Sequence, residues 1–295
     1  MIPDKLQFSR IGHVLPEAMA FQPLTSDFVG SAFRLSAQAD WNQTEEDWDR
    51  LRRLESAHVG VWVDHGDVRA SYSLTAYGDQ VAWIGMILVD QDYRGAGLGK
   101  ATFQSALKHA RSLGLKVLGL DATELGEPIY LKAGFQTVCP IVRWQGDLMD
   151  CDLQQNGRDV HKGLNPAILE WDTLHVGVDR SALLADFEAA DGTVLRCEKA
   201  GHPSALAVIR PGRTAMHLGP VVAESEADLL TLLSAVAPLV RGQRVICDVL
   251  SPEIEGALKK FGLHPSRHLK RMTSPLSKEC LCGPAVRCAA GFEFG

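Results

Sequence analysis

The sequence predicts an α/β (α+β) protein of two consecutive domains, each a mixed, mostly antiparallel sheet flanked by helices. Three observations support this fold class. The chain has 295 residues, which is more than one ordinary domain needs. Apolar residues recur with helical and strand periods along both halves. Landmark residues of the first half also return at similar spacings in the second half.

The first half opens with two predicted helices and a three-stranded meander. Apolar residues at helical spacing predict a helix over 28–39. Thr44, followed three residues later by Asp47, predicts a capping box that starts a second helix, which runs to about residue 55. Three strands separated by hairpin-type turn sequences follow at 59–63, 68–77 and 80–89.

A glycine-rich loop, Arg94-Gly-Ala-Gly-Leu-Gly-Lys100, follows the third strand. It leads into a predicted amphipathic helix that runs from Gly97 to a closing glycine, Gly114. The first half then ends with a buried strand, a short helix and a last strand, predicted at 116–120, up to 135 and 136–144.

The second half repeats this order of elements. Gly134 follows Asp121 by 13 residues, and Gly262 follows Asp248 by 14 residues. The second copy is shorter at the place where the first carries the glycine-rich loop. Its helices are predicted at 181–189, 225–240 and 252–261, and its strands at 193–198, 205–209, 215–223 and 244–250, with final strands after them.

A polar stretch from 147 to about 163 separates the two copies. The sequence therefore predicts a first domain that carries the loop at 1–147, a linker at 148–170 and a second domain without the loop at 171–295.

Composition and charge argue against several classes of protein. A formal charge of −6 and a pI near 5.9 argue against nucleic acid or an anionic membrane as the main partner. No apolar run reaches the roughly 18 residues of a membrane helix. The first residues lack the basic-then-apolar layout of a secretion signal, so the sequence predicts a cytoplasmic protein.

The chain has seven cysteines, and this odd number suits a reducing compartment better than a disulfide framework. Three of them lie near the end of the chain, at Cys280, Cys282 and Cys288. They contain no CxxC pair and do not form a set of four ligands, so we predict ordinary thiols and no metal site.

Successive bare amides at a helix N-terminus form a cradle for an anion, which gives the glycine-rich loop a purpose. A dinucleotide-binding turn would close a first strand, whereas antiparallel hairpins precede this loop. A P-loop requires Ser or Thr after its lysine, and Lys100 is followed by Ala101. A plain turn explains one glycine and not three beside basic residues.

The loop resembles the pyrophosphate loop of the GNAT N-acetyltransferase superfamily, Arg/Gln-x-x-Gly-x-Gly/Ala. The segment Ile129–Phe135 resembles the Tyr-x-x-x-Gly-Phe signature of the same superfamily. The stretches Leu120–Tyr130 and Trp41-Asn-Gln-Thr44 are similar to a bacterial tandem subgroup whose second half is a degenerate GNAT fold.

This resemblance implies a metal-independent enzyme that moves an acetyl group from acetyl-CoA to a primary amine of a small molecule or protein. The alternative is a noncatalytic sensor that binds acyl-CoA. The cofactor contacts implied are the loop residues Arg94, Gly95, Ala96, Gly97, Leu98, Gly99 and Lys100, and the main chain of Ile87, Leu88 and Val89. One N–H of that strand would stabilise the tetrahedral intermediate.

Two residues are candidates for acid–base catalysis. Tyr130 occupies the position from which many members protonate the CoA sulfur; its alternative role is packing against the cofactor. Many members carry a base in the fourth strand, but 81–89 contains no glutamate. Asp121 is therefore a candidate base, directly or through water, and its alternative role is to cap the following turn.

The break between the first two helices is the candidate acceptor site. Trp41 and Asn42 place an aromatic face beside an amide, which suits a cationic amine. The alternative is a core tryptophan beside a helix cap. The second half would supply one wall of the acceptor pocket, which would explain why it is retained without a phosphate loop. The oligomeric state is not predicted.

Overall fold

The computed structural model describes residues 19–150, 158–275, 277 and 281–295. Within these residues, one mixed sheet of 13 strands runs through both halves of the chain. Helices flank this sheet, and the consecutive residues Ser73 and Leu74 of the third strand face its two sides. The predicted fold class is confirmed.

The predicted elements of the first half are present within a few residues of their expected bounds. The capping box also forms, since Thr44 accepts from the Asp47 amide and Asp47 accepts from the Thr44 amide at 2.8 Å. The elements are β1 (Ala20–Pro23), α1 (Val29–Gln38), α2 (Glu45–Arg53), β2 (Ala57–Asp64), β3 (Asp67–Tyr77), β4 (Val81–Val89), α3 (Leu98–Ser112), β5 (Val117–Ala122), α4 (Glu127–Lys132) and β6 (Gln136–Asp147).

The second half contains two elements that the sequence analysis did not predict, a strand and a helix that overlap the expected linker at 148–170. The linker residues 151–157 lie outside the described residues, and the domain bounds stay a prediction. The elements are β7 (Arg158–Lys162), α5 (Pro166–Val176), α6 (Ser181–Ala190), β8 (Thr193–Lys199), β9 (His202–Arg210), β10 (Met216–Ala223), α7 (Glu226–Val236), β11 (Arg244–Val249), α8 (Glu255–Lys260), β12 (His264–Ser274) and β13 (Val286–Cys288).

The two halves exchange their last long strands. The order in the sheet is β1-β2-β3-β4-β5-β12-β6-β11-β13-β10-β9-β8-β7. Strand β12 of the second half therefore lies beside β5 of the first, and β6 of the first half lies beside β11 of the second. Each half obtains a strand of its sheet from the other half.

A buried ion pair accompanies each exchanged strand. Arg271 on β12 holds Asp121 on β5 through two hydrogen bonds of 3.0 Å, and both side chains are 0% exposed. Arg143 on β6 holds Asp248 on β11 through bonds of 2.7 and 2.8 Å. Asp121 and Asp248 are the residues that the sequence repeat equates. The sequence repeat therefore extends to the two ion pairs that join the halves.

A third contact between the halves involves α2. Arg50, whose side chain is 0% exposed, donates to Asp47 in its own helix at 2.7 Å. It also donates to Asp186 on α6 at 2.6 Å and to Asp191 at 2.8 Å. Three carboxylates thus surround one buried guanidinium, which fixes α2 of the first half against the second half.

We predict that Arg271→Met lowers the free energy of unfolding by about 3–5 kcal/mol, because it leaves the Asp121 carboxylate buried without its partner. Lys270→Ala is the matched control on the same strand. Lys270 bonds Glu127 at 2.6 Å with half of its side chain exposed, so its loss costs only about 0–1 kcal/mol. Chemical denaturation measures both values; similar small losses would contradict the prediction.

Candidate active site

The parallel strands β4 and β5 separate after a short paired stretch. They pair only from Val81 to Trp83 on β4 and from Val117 to Gly119 on β5. Beyond Trp83, no described strand pairs with the edge of β4 that faces β5. The main-chain groups of residues 87–89 on that edge therefore line an opening between the two strands.

A bulge in β4 lies at the start of this opening. Met86 has a φ of 49°, and the register with β3 shifts between Ser71 and Ser73. Ser71 Oγ donates to the Met86 carbonyl at 2.8 Å and holds the bulge. The bulge changes the direction in which the following residues present their amides, as bulges near functional sites commonly do.

The glycine-rich loop lies at the end of β4 and begins α3. Gly95 and Gly97 have φ values of 82° and 84°, in the left-handed region that favours glycine. Gly97 is the N-cap residue of the 15-residue helix α3, and the first helical bond runs from the Ala101 amide to the Gly97 carbonyl at 3.1 Å. The amides before Ala101 are therefore available for an anion, and the helix dipole favours one there.

Three contacts fix this loop against the sheet. Tyr93 donates its hydroxyl proton to Asp64 on β2 at 2.6 Å. Arg94 Nε donates to the Val89 carbonyl at 3.1 Å. The buried side chain of Leu98 packs in a small cluster with Trp62. The bare amides thus have a defined position relative to the open edge of β4.

The equivalent place in the second half differs in two ways. The N-terminus of α7 is capped by its own residues, since Ser225 Oγ accepts from the Asp228 amide at 3.2 Å, and Asp228 also adds negative charge there. Strand β13 lies between β10 and β11, pairing Cys288 with Val221 and with Val249. In the described residues, only the first half combines an open cleft with an uncapped helix.

Tyr130 lies on α4 against the apolar side of α3. Its ring contacts Phe103 edge-on with centroids 4.8 Å apart, and the Phe135 ring lies at 6.3 Å. Burial raises the pKa of Tyr130 to about 12, so the hydroxyl retains its proton at neutral pH. Its catalytic role stays a prediction.

Asp121 lies on β5 beyond its last pairing with β4, and its side chain is fully buried. Both of its carboxylate oxygens bind Arg271, as described above. Burial raises the pKa of Asp121, and the Arg271 charge opposes that shift. The alternative capping role belongs instead to Thr123, whose hydroxyl accepts from the Gly126 amide at 3.2 Å. A role of Asp121 as base stays a prediction, but its contacts are those of a residue that joins the two halves.

Asn42 joins the helix break of the first half to the turn between β9 and β10. Its Nδ2 donates to the Ala215 carbonyl at 2.9 Å. Its Oδ1 accepts from the Thr214 amide and hydroxyl at 2.9 Å and from the Ala215 amide at 3.0 Å. Trp41 is partly buried against the largest core cluster, and its carbonyl accepts from Arg213 at 2.8 Å. Acceptor binding by Trp41 and Asn42 stays a prediction beside this contact between halves.

Two family models match the chain. Residues 24–135 match the model described as Acetyltransferase (GNAT) family, and residues 168–279 match the model described as Acetyltransferase (GNAT) domain. The chain belongs to the GNAT family. The tandem arrangement predicted from the sequence is confirmed, because the second match covers the half without the loop.

Curated relatives of this tandem GNAT protein are acyltransferases. Holothin acyltransferase of Pseudoalteromonas sp. (strain SANK 73390) is 27% identical over 79% of this chain and 80% of the relative. An uncharacterized N-acetyltransferase of Bacillus subtilis (strain 168) is 29% identical, over 39% of each chain. These relatives support the assignment of this chain as an acyltransferase.

Solved structures share the fold of the GNAT chain. A putative acetyltransferase from Pyrococcus horikoshii has a TM-score of 0.76 at 17% identity and covers 98% of this chain and 100% of its own. A tandem GNAT protein from the clavulanic acid biosynthesis pathway has a TM-score of 0.63 at 13% identity and covers 86% of this chain and 98% of its own.

The described part of the GNAT chain contains no group of three or more His, Cys, Asp or Glu side chains placed to hold a metal ion. Cys280 lies outside the described residues. Cys282 Sγ lies 3.8 Å from Cys139 Sγ, and Cys288 is buried as a free thiol. None of the helices described is long and apolar enough to cross a membrane.

Proposed function

We propose that this protein transfers an acetyl group from acetyl-CoA to a primary amine, and that the first half alone binds acetyl-CoA. The observation that carries the proposal is the uncapped N-terminus of α3 beside the open edge of β4. In the second half, Ser225 caps the corresponding helix and β13 fills the corresponding cleft.

In this proposal the pyrophosphate of acetyl-CoA lies on the amides of Gly97 and Gly99. Their N–H groups and the helix dipole favour an anion, and the exposed side chains of Arg94 and Lys100 add positive charge. The pantetheine arm then follows the unpaired edge of β4. A main-chain N–H of Ile87–Val89 polarises the acetyl carbonyl and stabilises the oxyanion of the tetrahedral intermediate.

The chemistry is direct attack by the amine. The nitrogen attacks the thioester carbon, the C–S bond breaks, and the departing thiolate takes a proton from the Tyr130 hydroxyl. The proton that the nitrogen loses then restores Tyr130. The pKa of about 12 keeps this hydroxyl protonated until the thiolate forms. We propose that Asp121 joins the halves and takes no proton from substrate.

We propose a small-molecule amine as the acceptor. Holothin acyltransferase resembles this chain over most of its length. The glucosamine 6-phosphate N-acetyltransferase of Trypanosoma brucei brucei is 42% identical over 62 residues, which cover 21% of this chain and 42% of the relative. Both names indicate small acceptors. Acetyl-CoA chemistry and the reduced cysteines Cys139 and Cys282 suit the cytoplasm.

The test of function is a screen of primary amines, including glucosamine 6-phosphate, with acetyl-CoA as donor and thiol release as the signal. We expect at least one amine to release CoA stoichiometrically with acetylated product. Binding of acetyl-CoA by calorimetry without transfer to any amine would indicate the sensor instead.

We predict that Gly97→Ala raises the acetyl-CoA Kd about tenfold. Alanine disfavours the φ of 84° at this position, so the loop shifts, and one misplaced amide–phosphate hydrogen bond corresponds to about 1.5 kcal/mol. Gly114→Ala is the matched control: Gly114 ends the same helix with a φ of 78°, and a Cβ there also meets nothing within 4 Å. Both variants should lose similar stability, but only the first should lose affinity. Calorimetry with acetyl-CoA separates the two effects, and equal affinities would contradict the assignment of the loop.

We predict that Tyr130→Phe lowers kcat about 100-fold, because the thiolate then leaves without a proton donor. Its acetyl-CoA Kd should not change, since the ring and its packing remain. Leu131→Ala, at the exposed neighbouring position, should leave both values unchanged. If Tyr130→Phe turns over as fast as wild type, Tyr130 has no catalytic role, and its alternative role of packing against the cofactor remains.

We predict that Asp121→Asn lowers the midpoint of thermal unfolding and leaves the shape of the pH–rate profile unaltered. The neutral amide weakens the buried pair with Arg271 without touching the reacting atoms. Rates are measured per folded protein across pH 5–9. Loss of an ionisation from the profile would show instead that Asp121 takes part in proton transfer.

A further inference from the structure

The C-terminal segment connects the cleft of the second half to that of the first. After β13 fills the space between β10 and β11, the chain continues to a tight turn at 291–295. The Gly295 amide donates to the Gly291 carbonyl at 2.8 Å. Thr75 Oγ1 on β3 donates to the Glu293 carbonyl at 3.1 Å, and Tyr77 donates to the Phe294 carbonyl. The second half thus places its last residues on β3 and β4.

Glu293 lies directly over the middle of β4. A Cβ added to Gly85 would come within 2.6 Å of the Glu293 Cα and 3.2 Å of the Phe292 carbonyl oxygen. Gly85 immediately precedes the bulge at Met86 and the open edge of β4. Residue 85 is glycine because the C-terminal segment occupies the space that a side chain would take.

Strand β4 contains no ionisable side chain of its own between 81 and 89. The carboxylate beside this part of the strand therefore comes from a residue more than 200 positions away in the sequence. The side chain of Glu293 is 1% exposed, and its Oε2 accepts from Gln43 Nε2 at 2.8 Å. Gln43 follows Trp41 and Asn42, the predicted acceptor residues, so Glu293 lies beside that segment.

Several buried polar atoms around Glu293 have no hydrogen-bond partner in the described residues. They are Glu293 Oε1, Gln43 Oε1 and Ser73 Oγ. Ser73 Oγ lies 2.9 Å from the Cβ position of Gly85. A buried polar group without a partner costs about 1–3 kcal/mol, so such a cluster indicates that a polar ligand completes it. Glu293 Oε1 and Gln43 Oε1 are acceptors on two side chains that bond each other, which suits the N–H donors of an ammonium group.

Glu293 is not neutralised by a strong ion pair. Arg210 on β9 approaches Glu293 Oε1 at 3.6 Å without a hydrogen bond, and it also contacts Asp47 on α2 at 3.3 Å and the Ala290 carbonyl at 2.8 Å. Arg143 on β6 is held by Asp248. Burial raises the pKa of Glu293 to about 7, and the Asp47 charge adds to that shift while Arg210 opposes it. This direction brings the ionisation of the carboxylate closer to neutral pH, where a general base works best.

Building on the acetyl transfer proposed above, we propose that Glu293, delivered by the second half, is the proton acceptor for the amine substrate. The ammonium loses one proton to Glu293 Oε1, and its nitrogen attacks the acetyl carbon. The C–S bond breaks, Tyr130 protonates the thiolate, and the second nitrogen proton restores Tyr130. Glu293 then releases its proton to solvent, so the reaction yields an amide, free CoA and one proton.

The test compares Glu293→Gln with wild type, using the amine from the screen that releases thiol fastest. The glutamine side chain keeps the shape and can still bond Gln43. We expect acetyl-CoA affinity and thermal stability close to wild type, and kcat at least about 100-fold lower. Since the base acts when ionised, kcat/KM of wild type should rise with pH through about 7, and the variant should lose this rise.

Glu253→Gln is the matched control. Glu253 bonds Arg287 of the same C-terminal segment at 2.8 Å, far from β4 in the fold, and is largely exposed. It should keep the wild-type rate and pH profile. If Glu293→Gln is unstable, Glu293→Asp takes its place in the test. This variant retains the acid on a shorter side chain, so it should keep part of the rate and the pH dependence.

The outcomes separate the two proposals. If wild type transfers acetyl groups and Glu293→Gln has the same kcat and the same pH profile, the role of Glu293 is overturned and the proposed function stands. If wild type binds acetyl-CoA but acetylates none of the amines, the proposed function fails, and the role of Glu293 fails with it.

Discussion

The exchange of β6 and β12 is the constraint on which the rest of the structure depends. Each strand carries an arginine into the other half, where it meets a buried aspartate that has no other strong partner. A buried pair contributes little net stability compared with apolar packing, but separating it leaves a charge without compensation. The halves therefore cannot part without exposing sheet edges and stranding charges at Asp121 and Asp248. This dependence gives a reason to retain a second half that lacks the loop.

The same scaffold has opposite properties at its two clefts. In the first half, Gly97 leaves helix amides uncapped, and β4 separates from β5 without a replacement strand. In the second half, Ser225 caps the helix and β13 enters the cleft. Capping satisfies the amides that would otherwise hold phosphate, and the inserted strand satisfies the edge that would otherwise hold a pantetheine arm. The features that would prevent coenzyme binding in the second half thus also satisfy its backbone groups.

Much of this organisation could be predicted from local sequence, and the remainder depends on contacts between distant residues. Helix periods, the Thr44 cap, the loop and the spacing of Asp121 and Asp248 are local signals, and each corresponds to a feature of the fold. The strand exchange has no local signal, because β6 alternates its residues identically whether it pairs with β5 or β11. Strand β7 is short and polar, and β1 has only four residues, so neither shows a clear period. An amide such as Asn42 binds backbone or substrate equally well, so its sequence context does not decide between them.

The exchange also determines which residues reach the acyl-transfer site. After β12 the chain forms β13 between β10 and β11, and it then returns to the first half, where the turn at 291–295 lies against Gly85. A segment with only a structural role would be expected to present apolar side chains to such a buried surface, as Phe292 and Phe294 do. Glu293 between them instead brings a carboxylate into the interior, at a cost in desolvation, and its Oε1 lies 3.6 Å from Arg210 without a hydrogen bond. The proton transfer proposed above, beside the bulge of β4, would give that choice of residue a purpose.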